Sequence, residues 1–545
     1  MLGLMQDWPL LCHRIIDHAA IYHPDRPVVS RSVEGPIHKT NYAAIRSRAL
    51  RVAKRLERDG IRLGDRVATL GWNTWRHVEA WYGILGIGAI YHTVNPRLFP
   101  EQIAWIVNHA EDRVMMTDIT FVPLLEKLAA SLPTIERYIV LTDAAHMPAT
   151  TLKNAVPYEE WIGEVDDDFR WASFDENTAA GMCYTSGTTG HPKGVLYSHR
   201  SNVLHAFMAA LPDSKGLTSR DVVMPVVPLF HANGWSLAFS TPLVGASLVL
   251  PGARMDGASI YELLDTYKVS FTAAVPTVWL MLLQDLEKTG AKLPHLKRVV
   301  IGGSACPRAM TKAFQERYGV EVIHAWGMTE MSPLGSLCTM KPEYADLTGE
   351  ARLDVQQKQG HPPFGVEMKI TDDAGKPLPW DGRTFGRLKV RGPAVARAYY
   401  KDPSNILDEE GFFDTGDVAT IDRHGYMQIT DRAKDVIKSG GEWISSIDLE
   451  NLAVGHPKVA EAAVIGVRHP KWDERPLLVI VLKKGESATK EEIRAFMEGK
   501  IAKWWLPDDV VFVDEIPHTA TGKIQKIALR ERFKDYAFPN AAAAE

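Results

Sequence analysis

Residues 247–326, SLVLPGARMDGASIYELLDTYKVSFTAAVPTVWLMLLQDLEKTGAKLPHLKRVVIGGSACPRAMTKAFQERYGVEVIHAW, decide the fold. Short apolar runs alternate there with longer runs of helical periodicity. The pattern predicts strands at 247–251, 269–275, 298–303 and 321–326. Between them it predicts helices at 259–268, at 276–287 (opened by Pro276) and at 307–318. Successive βα units of this length predict a parallel sheet covered by helices, because each right-handed crossover needs a helix between neighbouring strands.

The alternation extends toward the N-terminus, with a helix at 41–59, a strand at 66–71, a helix at 75–84 and β-rich sequence to Thr93. From Pro362 the texture changes. Short strands (VEMKIT, GRLKVRG, GYMQIT) lie between Gly, Asp and Pro turns, which predicts a β-rich subdomain over roughly residues 340–431. Past Asp431 a compact α+β unit is expected, with helices near 446–454 and 490–502 and strands at 460–467 and 476–483. The expected fold class is α/β. A large domain of parallel-rich sheets spans 1–431, and a small mobile α+β domain spans 432–545, its last residues (540–545) frayed. No repeat at solenoid periods and no low-complexity segment interrupts this plan.

Composition removes several function classes. Of 545 residues 46% are hydrophobic and 24% charged, which is ordinary globular composition rather than a disordered one. Lys plus Arg total 62 against 67 Asp plus Glu, a net charge of -5. That balance gives no basic footprint for nucleic acid and no polybasic patch for a membrane. Cys12, Cys183, Cys306 and Cys338 form neither a disulfide framework nor a CxxC metal pair, which points to a reducing, cytoplasmic setting. The N-terminus MLGLMQDWPLLCHR has no charged region ahead of an apolar stretch and is not a secretory signal. Residues 222–253 carry no Asp, Glu, Lys or Arg, but Pro225, Pro228, Pro242, Pro251, His231 and Asn233 argue against a bilayer span. Buried core with a functional loop is the expected reading.

The chemistry begins at Tyr184-Thr185-Ser186-Gly187-Thr188-Thr189-Gly190-His191-Pro192-Lys193-Gly194, behind a short apolar strand. Glycines let successive N–H groups curl toward one anion, and the hydroxyls and Lys193 add charge-assisted donors. Taken alone, such a loop is more often a Gly/Ser/Thr surface turn. It is not a Walker A loop, because Pro192 stands where glycine must precede the lysine. A Rossmann fingerprint fails too, since Gly86-Ile87-Gly88 ends at Tyr91.

Six further segments follow in order: PLFHANGW (228–235), GGSACP (302–307), HAWGMTE (324–330), TGD (415–417), DRAKDVIKSGGEW (431–443) and PHTATGK (517–523). Together with the loop they resemble the adenylate-forming superfamily of acyl-CoA synthetases, luciferases and peptide-synthetase adenylation domains. The resemblance implies that Thr185, Ser186, Gly187, Thr188, Thr189 and Lys193 hold the phosphates of ATP. It places Gly302, Gly303, Ser304 and Ala305 along the adenine and acyl wall, with Gly327 and Met328 beside them. Trp326, where the family usually has tyrosine, would stack on adenine. Thr329 would meet a phosphate and Glu330 would bind Mg²⁺, which prefers hard oxygen ligands. Asp417 would accept the ribose hydroxyls, with Arg432 reaching the ribose or phosphate and Lys434 at the family hinge. His231 would lie near the reacting carboxylate, Trp235 would gate the acyl tunnel, and Pro333 would floor it. Without the resemblance, a buried His or Trp in this run reads equally well as core.

Lys523 matches the lysine that bridges the substrate carboxylate and the α-phosphate, where negative charge grows during attack. In the second half-reaction the resemblance brings Asp435, Lys438, Gly440, Gly441, Glu442, Trp443 and Glu474 toward coenzyme A. Asp431 departs from the family's common glycine. With the EWISS continuation it resembles the medium- and long-chain fatty acyl-CoA synthetase branch, whose members include enzymes activating 3-methylmercaptopropionate. The implied substrates are a small-molecule carboxylic acid, ATP and coenzyme A, with Mg²⁺. Neither nucleic acid nor a membrane span is expected, and the branch implies a homodimer. Alternatives are a medium- or long-chain fatty acid ligase, a stand-alone or luciferase-like adenylating enzyme, and a non-catalytic acyl-nucleotide binder.

Overall fold

The computed structural model describes residues 1, 3–185, 191–439, 442–518 and 524–539, with 442 and 443 described by backbone alone. Packing divides the chain into two units: residues 1–367 with 391–413, and residues 368–390 with 414–545.

The first unit is built on two sheets. The run 247–326 forms what its periodicity predicts: strand Ser247–Leu250, helix Gly257–Thr266, strand Phe271–Ala274, helix Pro276–Thr289, strand Arg298–Ile301 and strand Glu321–Gly327. The helix expected at 307–318 is an α-helix over Arg308–Lys312 that widens into a π turn over Ala313–Arg317. These strands join Val222–Pro225 and Pro27–Arg31 in an eight-stranded sheet, parallel except at its two edge strands, Leu334–Leu337 and Ile37–Asn41. Central strands such as Phe271–Ala274 are buried throughout, as parallel strands covered on both faces must be. Ile260, Leu263, Leu264, Trp279, Leu282 and Leu286 cover one face from the two crossover helices.

A seven-stranded sheet holds Arg66–Leu70, Ile90–Thr93, Val114–Thr117, Arg137–Val140 and Ala155–Pro157 in parallel beside Ala179–Tyr184, and Gly194–Ser198 closes its edge antiparallel. Tyr91 stacks on Trp81 at 4.6 Å, and a Cβ at Gly181 would come within 2.2 Å of the Tyr91 ring. Residues 222–253 are core as expected: strand Val222–Pro225, a tight turn, helix Leu237–Leu243 and strand Ser247–Leu250. Among the described residues no helix is long and apolar enough to cross a membrane. All four cysteines are buried and free.

Asn73 locks the two sheets together. It lies between strand Arg66–Leu70 and helix Trp75–Gly86, fully buried. Its Nδ2 donates to Pro225 O at 2.7 Å and Val227 O at 2.9 Å, and its Oδ1 accepts from Leu229 N at 2.7 Å. Its backbone carbonyl accepts from Gly252 N at 3.0 Å. One side chain thereby fixes the backbone that leads into His231.

The second unit contains a four-stranded sheet ordered Glu367–Thr371, Gly386–Arg391, Phe413–Ile421, Met427–Arg432. It also contains a sheet of Glu442–Ile444, Ile437–Ser439, Asp473–Leu482 and Val459–His469, with Asp509–Phe512 added parallel to Asp473–Leu482. Helices Ser446–Val454, Lys490–Met497 and Lys526–Arg532 pack with these strands. This grouping differs from the division read at 431/432. Residues 414–431 pack with the C-terminal residues because Ser445 Oγ donates to Thr430 O at 2.5 Å and Ser446 N donates to the Asp431 carboxylate at 2.7 Å. Residues 340–366, read as β-rich, carry the helix Gly349–Gln356 and belong to the first unit.

Asn73→Ala removes the donor to two buried carbonyls and the acceptor of one buried N–H, so a loss of about 2–4 kcal/mol is expected. Asn73→Asp keeps the shape but turns a carboxylate oxygen toward the carbonyls of Pro225 and Val227, and should cost at least as much. Urea denaturation midpoints check both; a wild-type midpoint for Asn73→Asp would mean the amide is not what joins the sheets.

Candidate active site

The strands that flank the Gly-rich stretch, Ala179–Tyr184 and Gly194–Ser198, pair antiparallel with Tyr184 opposite Gly194. Thr185 and Lys193 close its base, with Thr185 N donating to Lys193 O at 2.9 Å and Lys193 N donating to Thr185 Oγ1 at 3.1 Å. A Cβ at 194 would reach the Tyr184 ring at 3.0 Å, so glycine there leaves room for that ring. Ser186, Gly187, Thr188 and Thr189 lie outside the described residues, as do Gly440, Gly441 and Lys523.

The hairpin is tied to the HAWGMTE segment through residues 394–400. Lys193 Nζ sits 4.6 Å from the centroid of the Tyr399 ring, a cation–π arrangement. The Tyr399 hydroxyl donates to Glu330 Oε1 at 2.7 Å, and Tyr197 OH donates to Thr329 O at 2.7 Å. Ala396 N donates to Glu330 O at 2.7 Å, and Tyr400 N donates to Gly194 O at 2.8 Å. Glu330 is only 6% exposed. Burial and the neighbouring Glu330 charge push the Tyr399 phenol far above its ordinary range, so it stays a donor. Sequence reading assigned Lys193, Thr329 and Glu330 and missed Tyr399, whose only trace is an unremarked Ala-Tyr-Tyr at 398–400.

A second group of predicted residues forms a continuous wall in the same unit. Gly302 and Gly303 follow strand Arg298–Ile301. A Cβ on Gly302 would fall 2.9 Å from Ala325 O and 3.3 Å from the Trp235 indole. Gly303 has φ +83, and a Cβ there would press on Val275 at 3.0 Å. Trp326, half-buried, lies across Gly335, where a Cβ would meet its ring at 2.3 Å. Gly327 abuts Pro333, whose carbonyl a Cβ would approach to 2.0 Å, and Met328 N donates to that same carbonyl at 2.9 Å. Ser304 is exposed and Ala305 half-buried just beyond the glycines.

His231 begins the turn that carries Trp235: its carbonyl accepts from Gly234 N at 3.0 Å. Ala232, Asn233, Gly234, Trp235 and Ser236 all have positive φ, 36, 46, 58, 52 and 65°. Left-handed backbone costs an L-residue about 1–2 kcal/mol, so such a turn must be held from outside. Asn233 does part of this: its Nδ2 donates to Tyr91 OH at 3.1 Å and its Oδ1 accepts from Thr93 Oγ1 at 3.0 Å.

The second unit carries the remaining described site residues. Asp417 and Arg432 face each other across the antiparallel strands Phe413–Ile421 and Met427–Arg432, with Arg432 Nε 3.0 Å from Asp417 Oδ1. Asp417 is buried and Arg432 half out in solvent. Lys434 and Lys438 are exposed; Asp435 is buried and pairs with Arg530 at 2.6 Å. Glu474 accepts from Lys438 N at 3.0 Å and lies over Gly466, where a Cβ would clash with it at 2.8 Å. Glu442 and Trp443 belong to the short strand Glu442–Ile444.

Asp431, the departure from the family's glycine, is buried, accepting from Arg432 N at 2.8 Å as well as from Ser446 N. Burial raises its carboxyl above the usual range, while Lys526 and the two N–H donors oppose that shift. Lys526, itself half-buried, pairs with Glu450 at 2.7 Å. Burial alone would lower Lys526, but Glu450 and Asp431 outweigh it and hold it raised. Sequence reading missed this cluster.

The chain belongs to the AMP-binding enzymes: that family matches residues 16–400, and the AMP-binding enzyme C-terminal domain matches residues 448–523. It is 50% identical to the 3-methylmercaptopropionyl-CoA ligase of Ruegeria pomeroyi over 535 residues, 98% of this chain and 99% of that one. It is 46% identical to the medium-chain-fatty-acid–CoA ligase of Ectopseudomonas oleovorans over 536 residues, 98% of each chain. Among solved structures it resembles an anthranilate CoA ligase in complex with anthranoyl-AMP, with TM-score 0.85, 27% identity and coverage of 99% of this chain and 100% of that one.

Tyr399→Phe keeps the ring beside Lys193 and deletes the donor on Glu330. A hydrogen bond to a charged group is worth about 1.5–3 kcal/mol, and that loss is expected in the denaturation midpoint. A midpoint equal to wild type would mean that Glu330 is held without Tyr399.

Proposed function

We propose that the protein is an ATP-dependent acyl-CoA ligase acting on a short or medium acyl acid, with 3-methylmercaptopropionate as the favoured substrate. A carboxylate oxygen attacks the α-phosphorus of ATP; the bond to the β-phosphate oxygen breaks, and pyrophosphate leaves. The thiol of coenzyme A then attacks the acyl carbon, and AMP leaves with the electron pair of the anhydride bond. What carries this reading is one run of contacts in a chain half-identical to such a ligase. The hairpin base is joined through Tyr399 to Glu330, and HAWGMTE continues into the wall of Trp235, Gly302, Gly303 and Trp326.

In this reading the hairpin N–H groups, Thr185 and Lys193 hold the triphosphate, and Thr329 adds a hydroxyl. Among the described residues no cluster of three His, Cys, Asp or Glu side chains could hold a metal by itself. One buried carboxylate, Glu330, does fit Mg²⁺, which commonly takes one or two protein carboxylates and completes its shell with phosphates and water. When bound, the ion would neutralise charge on the departing pyrophosphate. Trp326 stacks on adenine, Asp417 takes the ribose hydroxyls and Arg432 steadies Asp417. His231 lies by the reacting carboxylate and Pro333 floors the acyl pocket. Lys523 supplies the cation for the first step; rotation near Lys434 then withdraws it and brings 440–443, with Lys438 and Glu474, to the thiol. The unit that rotates is residues 432–545. We further place the enzyme in the cytoplasm as a homodimer, which size-exclusion chromatography with light scattering tests.

The 46%-identical medium-chain relative supports a second reading, a medium-chain fatty acid ligase. Rates of AMP release and coenzyme A consumption over acids from acetate to myristate, with 3-methylmercaptopropionate included, separate the two. The expected result is the highest kcat/KM for 3-methylmercaptopropionate. A maximum at octanoate or beyond would favour the second reading, and AMP release independent of coenzyme A would defeat both.

Lys523→Ala should slow adenylate formation by about 10²–10³ while supplied acyl-adenylate is still thioesterified at near the wild-type rate. Gly441→Trp, shown folded first, should block thioester formation and spare pyrophosphate exchange. Equal slowing of both halves in Lys523→Ala would overturn the two-orientation scheme.

A further inference from the structure

We propose that Lys215 is a specificity-determining positioning residue, whose ammonium, bonded from inside the core to the Trp235 carbonyl, sets how far the Trp235 indole closes the acyl pocket. The inference rests on the proposed reading of Trp235 as the wall of that pocket.

Lys215 is 2% exposed, in a protein where a lysine normally keeps its head in water. Its Nζ donates to Trp235 O at 2.5 Å, and no carboxylate among the described residues forms an ion pair with it. An ammonium buried without a counter-ion is costly, so a structural role in plain packing would be better filled by methionine. The charged neighbours give it no other task. His205 accepts from Leu334 N at 3.0 Å and is pushed down to about 3 by burial, with Lys215 adding to the shift, so it stays neutral. Arg298 donates to the carbonyls of Lys215 and Gly216 at 2.9 and 2.7 Å, pairs with Asp221 at 2.7 Å and so fixes the Lys215 backbone. Burial itself brings the Lys215 amine down to about 7. Asp213, two residues before, is exposed.

The geometry of the turn explains what the bond does. Five successive left-handed residues are anchored at Asn233, through Tyr91 and Thr93, and at the Trp235 carbonyl, through Lys215. The indole lies just past these two anchors, against Gly302 and Gly303. With one anchor gone, the turn can relax and the indole can swing from the glycines.

Lys215→Met keeps the length and apolar bulk of the side chain and removes the donor; Lys215→Gln keeps a donor. The expected result for Lys215→Met is a rise of about tenfold in kcat/KM for acids two to four carbons longer than the preferred one, relative to the preferred one. KM for ATP should stay unchanged, and Lys215→Gln should restore part of the wild-type profile. A wild-type chain-length profile in Lys215→Met, alongside a shifted profile in Trp235→Ala, would overturn the role of Lys215. An unshifted profile in Trp235→Ala would instead overturn the pocket-wall reading. A second measurement reads the indole directly. In 5-fluorotryptophan-labelled protein, the Trp235 resonance, assigned through Trp235→Phe, should shift in Lys215→Met and move back toward its wild-type position in Lys215→Gln. A resonance unmoved by Lys215→Met would overturn the inference.

Discussion

The amide of Asn73 is the constraint on which the large unit depends. Two sheets, each buried on both faces, have no reason of their own to meet in one register, since apolar packing is non-directional. Asn73 supplies the direction: it stands at the C-terminal end of one sheet's strand and satisfies Pro225, Val227 and Leu229 at the end of the other's. Everything proposed for acyl binding hangs from that point, because Leu229 leads within two residues to His231 and then to the left-handed turn. Ligands of parallel sheets gather outside the carboxyl ends of the strands, and a buried side chain spans the two sheets at those ends.

A second theme is how ionisable groups are held ready. Glu330 is buried and accepts from the Tyr399 phenol; Asp417 is buried and pairs with the Arg432 guanidinium. The carboxylate is held by a neutral partner in the first case and by a cationic one in the second. Asp431 and Lys526 show a different arrangement: Lys526 pairs with Glu450, and the charges of Lys526 and Asp431 act on each other. Lys526 lies three residues after Lys523, and Asp431 three before Lys434, so this cluster joins the two stretches of chain on which the proposed rotation depends.

Much of the fold was legible in the sequence because parallel βα units write their period plainly. The strand at 298–303 and the helix opened by Pro276 begin where the sequence predicts and end within two residues of it. The strand Gly194–Ser198 was not, because attention to a Gly-rich loop hides the hairpin that supports it. The division at 431/432 followed composition, whereas packing follows hydrogen bonds: Ser445 and Ser446 reach back to Thr430 and Asp431, a contact between residues fifteen apart with no periodic signal. Site residues that face a ligand in this family sit in recognisable strings. Those that hold them in place, Tyr399, Asn73 and Lys215, are isolated letters whose partners lie far along the chain, and only the folded structure brings each pair together.

The left-handed turn at 232–236 also limits what this protein can become. β-Branched side chains tolerate positive φ worst, since two heavy atoms on Cβ crowd the backbone. Valine, isoleucine and threonine are therefore closed to five successive positions beside the proposed acyl wall, while glycine, asparagine and aspartate stay open. A population drifting by single-nucleotide changes can alter the bulk of residue 235 through leucine, arginine, serine, cysteine or glycine, all reachable from the one tryptophan codon. The turn thus channels inherited variation toward size at a single side chain and keeps the surrounding backbone constant.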